Sequence, residues 1–203
     1  MIRKKRNLET SLSVREEKWH EELGVDLSPP FWNNTYRRTA EIKNDNRLKW
    51  LQYQIHRNSF YTNYRVNKYD GLVSPYCTFC LQQDASNTNL ETVSHLFKDC
   101  VIVNGLWVAI GNWLNSLNIQ FVYDIRSILF GCHEQPVTSI QNYIILTAKY
   151  FVWISKHRNC NLNLIAYQNF LRLKLEDLKN VYIYEKKESN FNQWIDIYDS
   201  VSV

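Results

Sequence analysis

Residues 76–100 read YCTFCLQQDASNTNLETVSHLFKDC, and the rest of the chain is organised around them. Cys77 and Cys80 enclose two residues, fourteen more separate Cys80 from His95, and four separate His95 from Cys100, giving C-x2-C-x14-H-x4-C. Tetrahedral zinc takes four Cys or His ligands. A Cys-x2-Cys turn aims two thiolates at one point, and a His and a Cys near a helix start supply the second pair. The competing reading makes the cysteines small apolar core residues and His95 a satisfied helix-start histidine. It requires three of the five cysteines and one of the five histidines to fall into ligand spacing by accident. We therefore expect one zinc ion held by Cys77, Cys80, His95 and Cys100. With all four positions filled by protein, none remains for a reacting water, so the expected metal is structural and clips loop 76–95 onto the helix that follows.

That helix is legible from its apolar stripe. Cys100, Val103, Trp107, Ile110, Leu114 and Leu117 advance by alternating three and four residues, which places them on one face. With only five Gly and four Pro in 203 residues the chain has few breakers. Three- and four-residue apolar spacing predicts further helices near 9–23, 30–41, 44–57, 136–158 and 162–180. LSPP and DGLVSP are the clearest interruptions. The expected fold is mainly α, an irregular helical domain around a small Cys3His zinc knuckle. It divides into a basic helical segment 1–76, the zinc motif with its helix 77–118, and a C-terminal helical segment 119–203, in which Leu164, Leu171, Leu175 and Leu178 pack on the rest.

Charge is unevenly spread. Residues 1–76 carry 14 Lys/Arg against 9 Asp/Glu, residues 77–135 carry 2 against 5, and residues 136–203 carry 8 against 6. The basic flanks suit an anionic partner. In 44–57, Leu48, Leu51 and Ile55 form an apolar face, while Lys43, Arg47, Trp50, Gln54 and Arg57 step along another. In 136–158, Ile140, Ile144, Ala148 and Phe151 face a core, with Lys149, Trp153 and Lys156 beside it. Cations that share a helix face with an aromatic ring suit nucleic acid: Lys and Arg neutralise phosphates, and Trp stacks on an unpaired base. Arg47, Trp50, Arg57, Lys149, Trp153 and Lys156 are the candidates. Helical spacing favours a packed role for both Trp residues and a merely solvated one for the cations.

The run RLKWLQYQIHRNSFYTNYRVNKYDGLVSPYCTFC, followed by ETVSHLFKDCVIVNGLW, ILFG and IILTAKYFVWISKHR, resembles the zinc-binding region C-terminal to the reverse transcriptase of non-LTR (LINE-like) retrotransposons. The resemblance rests on Cys77, Cys80, Glu91, His95, Leu96, Phe97, Cys100 and Trp107 and spans roughly residues 45–180. It implies nucleic-acid binding, to RNA or DNA, beside a polymerase during target-primed reverse transcription. The reverse transcriptase core would then be a partner.

Catalytic signatures are missing. A polymerase needs paired aspartates to hold two Mg²⁺ ions, and Tyr69-Asp70, Tyr123-Asp124 and Tyr198-Asp199 each offer a single Asp. No phosphate loop, dinucleotide fingerprint, zincin motif or nucleophile elbow occurs, so no independent enzymatic activity is expected. The stretch after Met1 lacks the apolar run of a secretory signal, and the cysteine count is odd, both of which favour a reducing intracellular setting. Its most apolar windows fall short of a membrane span. Cys132, His133 and Cys160 remain as default packing residues, and Arg3-Lys4-Lys5-Arg6 suits a nuclear-import signal, a phosphate-binding arm or a frayed start. The alternatives to a nucleic-acid module are a zinc-stabilised protein-interaction scaffold and a truncated element product without activity of its own.

Overall fold

The computed structural model describes residues 13–24, 27–42, 45–132 and 139–202. Ten α-helices are present among these: α1 (Val14–Leu23), α2 (Pro29–Glu41), α3 (Asn46–His56), α4 (Asn63–Asn67), α5 (Thr78–Gln83), α6 (Val101–Ser116), α7 (Ile125–Phe130), α8 (Ser139–Arg158), α9 (Leu164–Tyr184) and α10 (Ile195–Ser200). A π-helical turn (His95–Asp99) runs into α6, and a 3-10 helix (Glu188–Trp194) into α10. The only strand-like pairing among the described residues is an isolated antiparallel bridge between Tyr76 and Leu90. The fold is thus mainly α, as the spacing predicts. No helix among the described residues is long and apolar enough to cross a membrane.

Local chemistry sets the helix boundaries. Ser13 and Glu16 form a reciprocal capping box at the start of α1, and Gly24 closes it with φ of 61°. Pro29 and Pro30 occupy the first turn of α2, where a missing N–H costs no helical bond. Asp45, Thr62, Asp124 and Asn163 cap α3, α4, α7 and α9 through their side chains. The segments predicted near 9–23, 44–57 and 136–158 reach into 9–12, 44 and 136–138, which lie outside the described residues.

α8 is the central helix. Every residue from Ile144 to Val152 is buried, because α3, α7 and α9 pack around it. Such all-round burial marks a helix enclosed by others rather than one with a single wet face. Leu48, Leu51 and Ile55 of α3 are buried as the spacing predicts, as are Leu171, Leu175 and Leu178 of α9; Leu164 is half-buried. The N-terminal helices share this core: Phe130 of α7 meets Trp19, Phe31 and Trp32 edge-on at 5.4, 5.6 and 5.1 Å. Trp19 Nε1 donates to the carbonyl of His56 at 3.1 Å, which gives this buried donor its partner.

Candidate metal centre

The four ligand candidates converge because three short elements bring them to one point. Cys77 precedes α5 and Cys80 sits in its first turn. The chain then leaves and returns along the Tyr76–Leu90 bridge, closed by Cys77 N–H to Asn89 O at 2.8 Å and Glu91 N–H to Pro75 O at 2.9 Å. The π-turn supplies the second pair. Cys100 N–H donates to the carbonyl of His95 at 2.8 Å, five residues back, so one wide turn carries both side chains to the same side. Thr92 Oγ1 accepts from the His95 N–H at 3.0 Å and fixes the turn's start.

Cys77 Sγ lies 3.9 Å from Cys100 Sγ, Cys80 Sγ lies 3.8 Å from Cys100 Sγ, and Cys80 Sγ lies 3.4 Å from His95 Nε2. All four donor atoms lie within 4.8 Å of one another. A tetrahedron with metal–sulfur bonds of about 2.3 Å has sulfur–sulfur edges of about 3.8 Å, so the donor set and its spacing fit one tetrahedral metal ion. The sulfurs stand much farther apart than in a disulfide, where the bond is about 2.0 Å. The cysteines are buried and His95 is half-buried. Hydrogen bonding with Cys77, aided by the Val103 and Ile102 N–H groups at the start of α6, holds the Cys100 thiol below its ordinary value despite burial. The same hydrogen bond, with burial, pushes the Cys77 thiol up to about 12, so within this pair the thiolate, the form that binds metal, is favoured at Cys100.

The knuckle is tied to the rest of the molecule by Glu91, which is fully buried. Its carboxylate accepts from the Asn63 N–H at 2.8 Å, the Thr78 N–H at 3.3 Å and the Lys156 ammonium, and Lys156 also donates to Asn63 Oδ1 at 2.9 Å. Asn63 Nδ2 donates in turn to Tyr76 O at 2.9 Å and Thr78 Oγ1 at 3.1 Å. Leu96 and Phe97 are the buried residues of the π-turn, and Trp107 Nε1 donates to Phe97 O at 2.7 Å. One buried ion pair thus links α4, α5, the bridge and α8 around the ligand cluster.

This arrangement corrects two of the nucleic-acid candidates. Lys156 is buried against Glu91 and Asn63 and does not face solvent. Lys149 is 1% exposed and donates to Gln52 Oε1 and to the Leu129 carbonyl. Burial pushes its pKa down to about 7. Neither ammonium reaches a phosphate, because α8 is enclosed on the side where spacing suggested a stripe. Trp153 is half-buried against Phe60, Tyr150 and His157. Trp50, for which spacing favoured packing, is 59% exposed. Arg47 is exposed and Arg57 half-buried on the same side of α3. Asn63, Thr78 and Thr92 escaped the sequence reading; only Thr92 has a local signal, a threonine three residues before His95.

Cys132 is buried and Cys160 exposed, while His133 and the Arg3–Arg6 cluster lie outside the described residues. Among the described residues, the Cys77, Cys80, His95 and Cys100 group is the one set of side chains placed to hold a metal. No protein-family model and no curated protein sequence matches the chain.

Proposed function

We propose that this chain is a zinc-stabilised nucleic-acid-binding module of the kind attached to non-LTR retrotransposon reverse transcriptases, acting inside the cell on element RNA or target DNA beside a polymerase. The carrying observation is the Cys3His cluster. Zinc is the preferred occupant because three thiolates and an imidazole form a closed, borderline-soft tetrahedral set that suits it. The residues behind the family resemblance also have physical work around it: Glu91 anchors the loop, Leu96 and Phe97 fill the space beneath it, and Trp107 closes it. The zinc holds shape, and binding falls to cations and rings on the surrounding helices.

The test is fluorescence anisotropy of zinc-loaded protein with labelled single-stranded RNA, single-stranded DNA and duplex DNA across a range of salt. Affinity that falls linearly on a log–log plot counts the phosphates engaged. Absence of binding at low salt would contradict the proposal and turn the search to a protein partner docked on the same scaffold.

A further inference from the structure

Residues 46–69, which build α3, the bend after it and α4, contain five cations, Arg47, Lys49, Arg57, Arg65 and Lys68, and no Asp or Glu. The same stretch places three aromatic rings far out in solvent: Trp50 at 59%, Tyr61 at 64% and Tyr69 at 80% exposure. They border one groove of about 610 Å³ between α3 and α4, with Gln54 and Arg65 in its wall. Trp50 is stacked on Tyr53, with centroids 5.5 Å apart and planes 23° apart, and the Arg57 guanidinium lies 5.1 Å from the Tyr53 centroid. Folding usually removes such rings from water, so exposed rings gathered around a groove mark a binding surface.

Charge selects the occupant. Tyr, Trp and Arg also enrich protein interfaces, but an interface with a mixed partner uses both signs, and here the segment offers only one. None of the five cations is in an ion pair with a carboxylate among the described residues. The nearby acids are engaged by groups other than these cations' side chains: Asp45 caps α3 and pairs with Lys174, Glu22 accepts from Asn58 and Ser94, and Asp70 accepts from the Leu72 N–H. Arg57 donates to Tyr53 OH, Arg65 donates to Asn58 O and Lys68 lies 4.3 Å from the Tyr64 centroid, all neutral partners that leave the charge uncompensated. Flat rings between such cations match alternating bases and phosphates.

We propose that the α3–α4 groove binds an unpaired stretch of RNA or DNA, with bases stacked on Trp50, Tyr61 and Tyr69 and phosphates at Arg47, Arg57, Arg65 and Lys68. This rests on the nucleic-acid reading above and gives it an address. It also gives the metal centre a part in binding. Asn63 starts α4, and its bonds to Glu91, Tyr76 and Thr78 fix that wall of the groove to the zinc knuckle.

The test uses the full zinc-loaded chain and labelled oligonucleotides of about 12 nucleotides as single-stranded RNA, single-stranded DNA and duplex. W50A and Y61A remove exposed rings without emptying the core. Each lowers single-strand affinity by about five- to a hundred-fold and leaves the salt slope in place. Arg57→Gln with Lys68→Gln lowers the salt slope by about 1.4. Lys179→Gln with Lys187→Gln removes the same charge from the C-terminal region and changes affinity less than twofold. Circular dichroism and zinc content verify each fold. Wild-type binding that all groove variants retain overturns the groove while leaving the nucleic-acid reading intact. Duplex bound as tightly as single strand overturns the stacking assignment, and no binding by wild type overturns both. RNA against DNA identifies which strand the groove takes.

Discussion

Glu91 and Lys156 show how much one residue pair can carry. Both are buried, so removing either leaves an uncompensated charge, which typically costs about 3–5 kcal/mol. Glu91→Ala and Lys156→Ala should each lower stability by that order in urea unfolding, and the double replacement by less than the two single losses together. Lys149 makes a different prediction. Burial lowers its folded pKa to about 7, below the unfolded value of 10.5. Between these limits the unfolded chain binds the extra proton, so stability rises with pH across that window. Lys149→Met should flatten the rise, as read from thermal midpoints at pH 7 and 10. Neither role is visible in the sequence. Glu91 and Lys156 are 65 residues apart, and Lys149 and Gln52 are 97 apart. Local periodicity distinguishes cations from apolar residues but cannot say which cation a distant helix will cover.

At the level of elements, legibility follows length. The long helices α2, α3, α6, α8 and α9 extend over enough turns for apolar spacing to declare itself, and the α6 stripe is buried from Cys100 to Leu114 as read. α4, α5 and α7 are five or six residues long, too short for a period to register. The π-turn has no simple periodic signature, yet it explains the four-residue gap between His95 and Cys100. α7 depends on its two ends. Asp124 accepts from the Ser127 N–H at 2.8 Å, and Gly131 has φ of 89° with Asn142 Oδ1 only 2.8 Å from where a Cβ would stand. Asp124→Ala should cost about 0.5–2 kcal/mol. Gly131→Ala should be destabilising too, because the side chain meets both a left-handed backbone and a close oxygen. Differential scanning calorimetry of the two variants checks both statements.

For the whole molecule, the Cys3His cluster and the helical core are one object. α6 packs on the π-turn, on α5 and on α9, and Glu91 joins the knuckle to α8. Loss of metal should therefore spread beyond residues 76–100. Cys80→Ala and His95→Ala should release zinc, lower the thermal midpoint and reduce helical circular dichroism, whereas Cys160→Ala, at an exposed cysteine, should leave all three unchanged. The Cys3His cluster was readable because four chemically unusual residues recur at fixed short spacing. The groove on α3 and α4 was read only in part, since Arg47, Trp50 and Arg57 share a helix face while Tyr61, Arg65 and Tyr69 join them only through the bend that follows. The closed Cys3His site is tested most directly by zinc X-ray absorption on the purified chain. A closed structural site predicts one zinc per chain with three sulfur neighbours at about 2.3 Å and one nitrogen at about 2.0–2.1 Å. A spectrum with fewer sulfurs and an oxygen from water in their place, or a chain that retains no zinc, would contradict it.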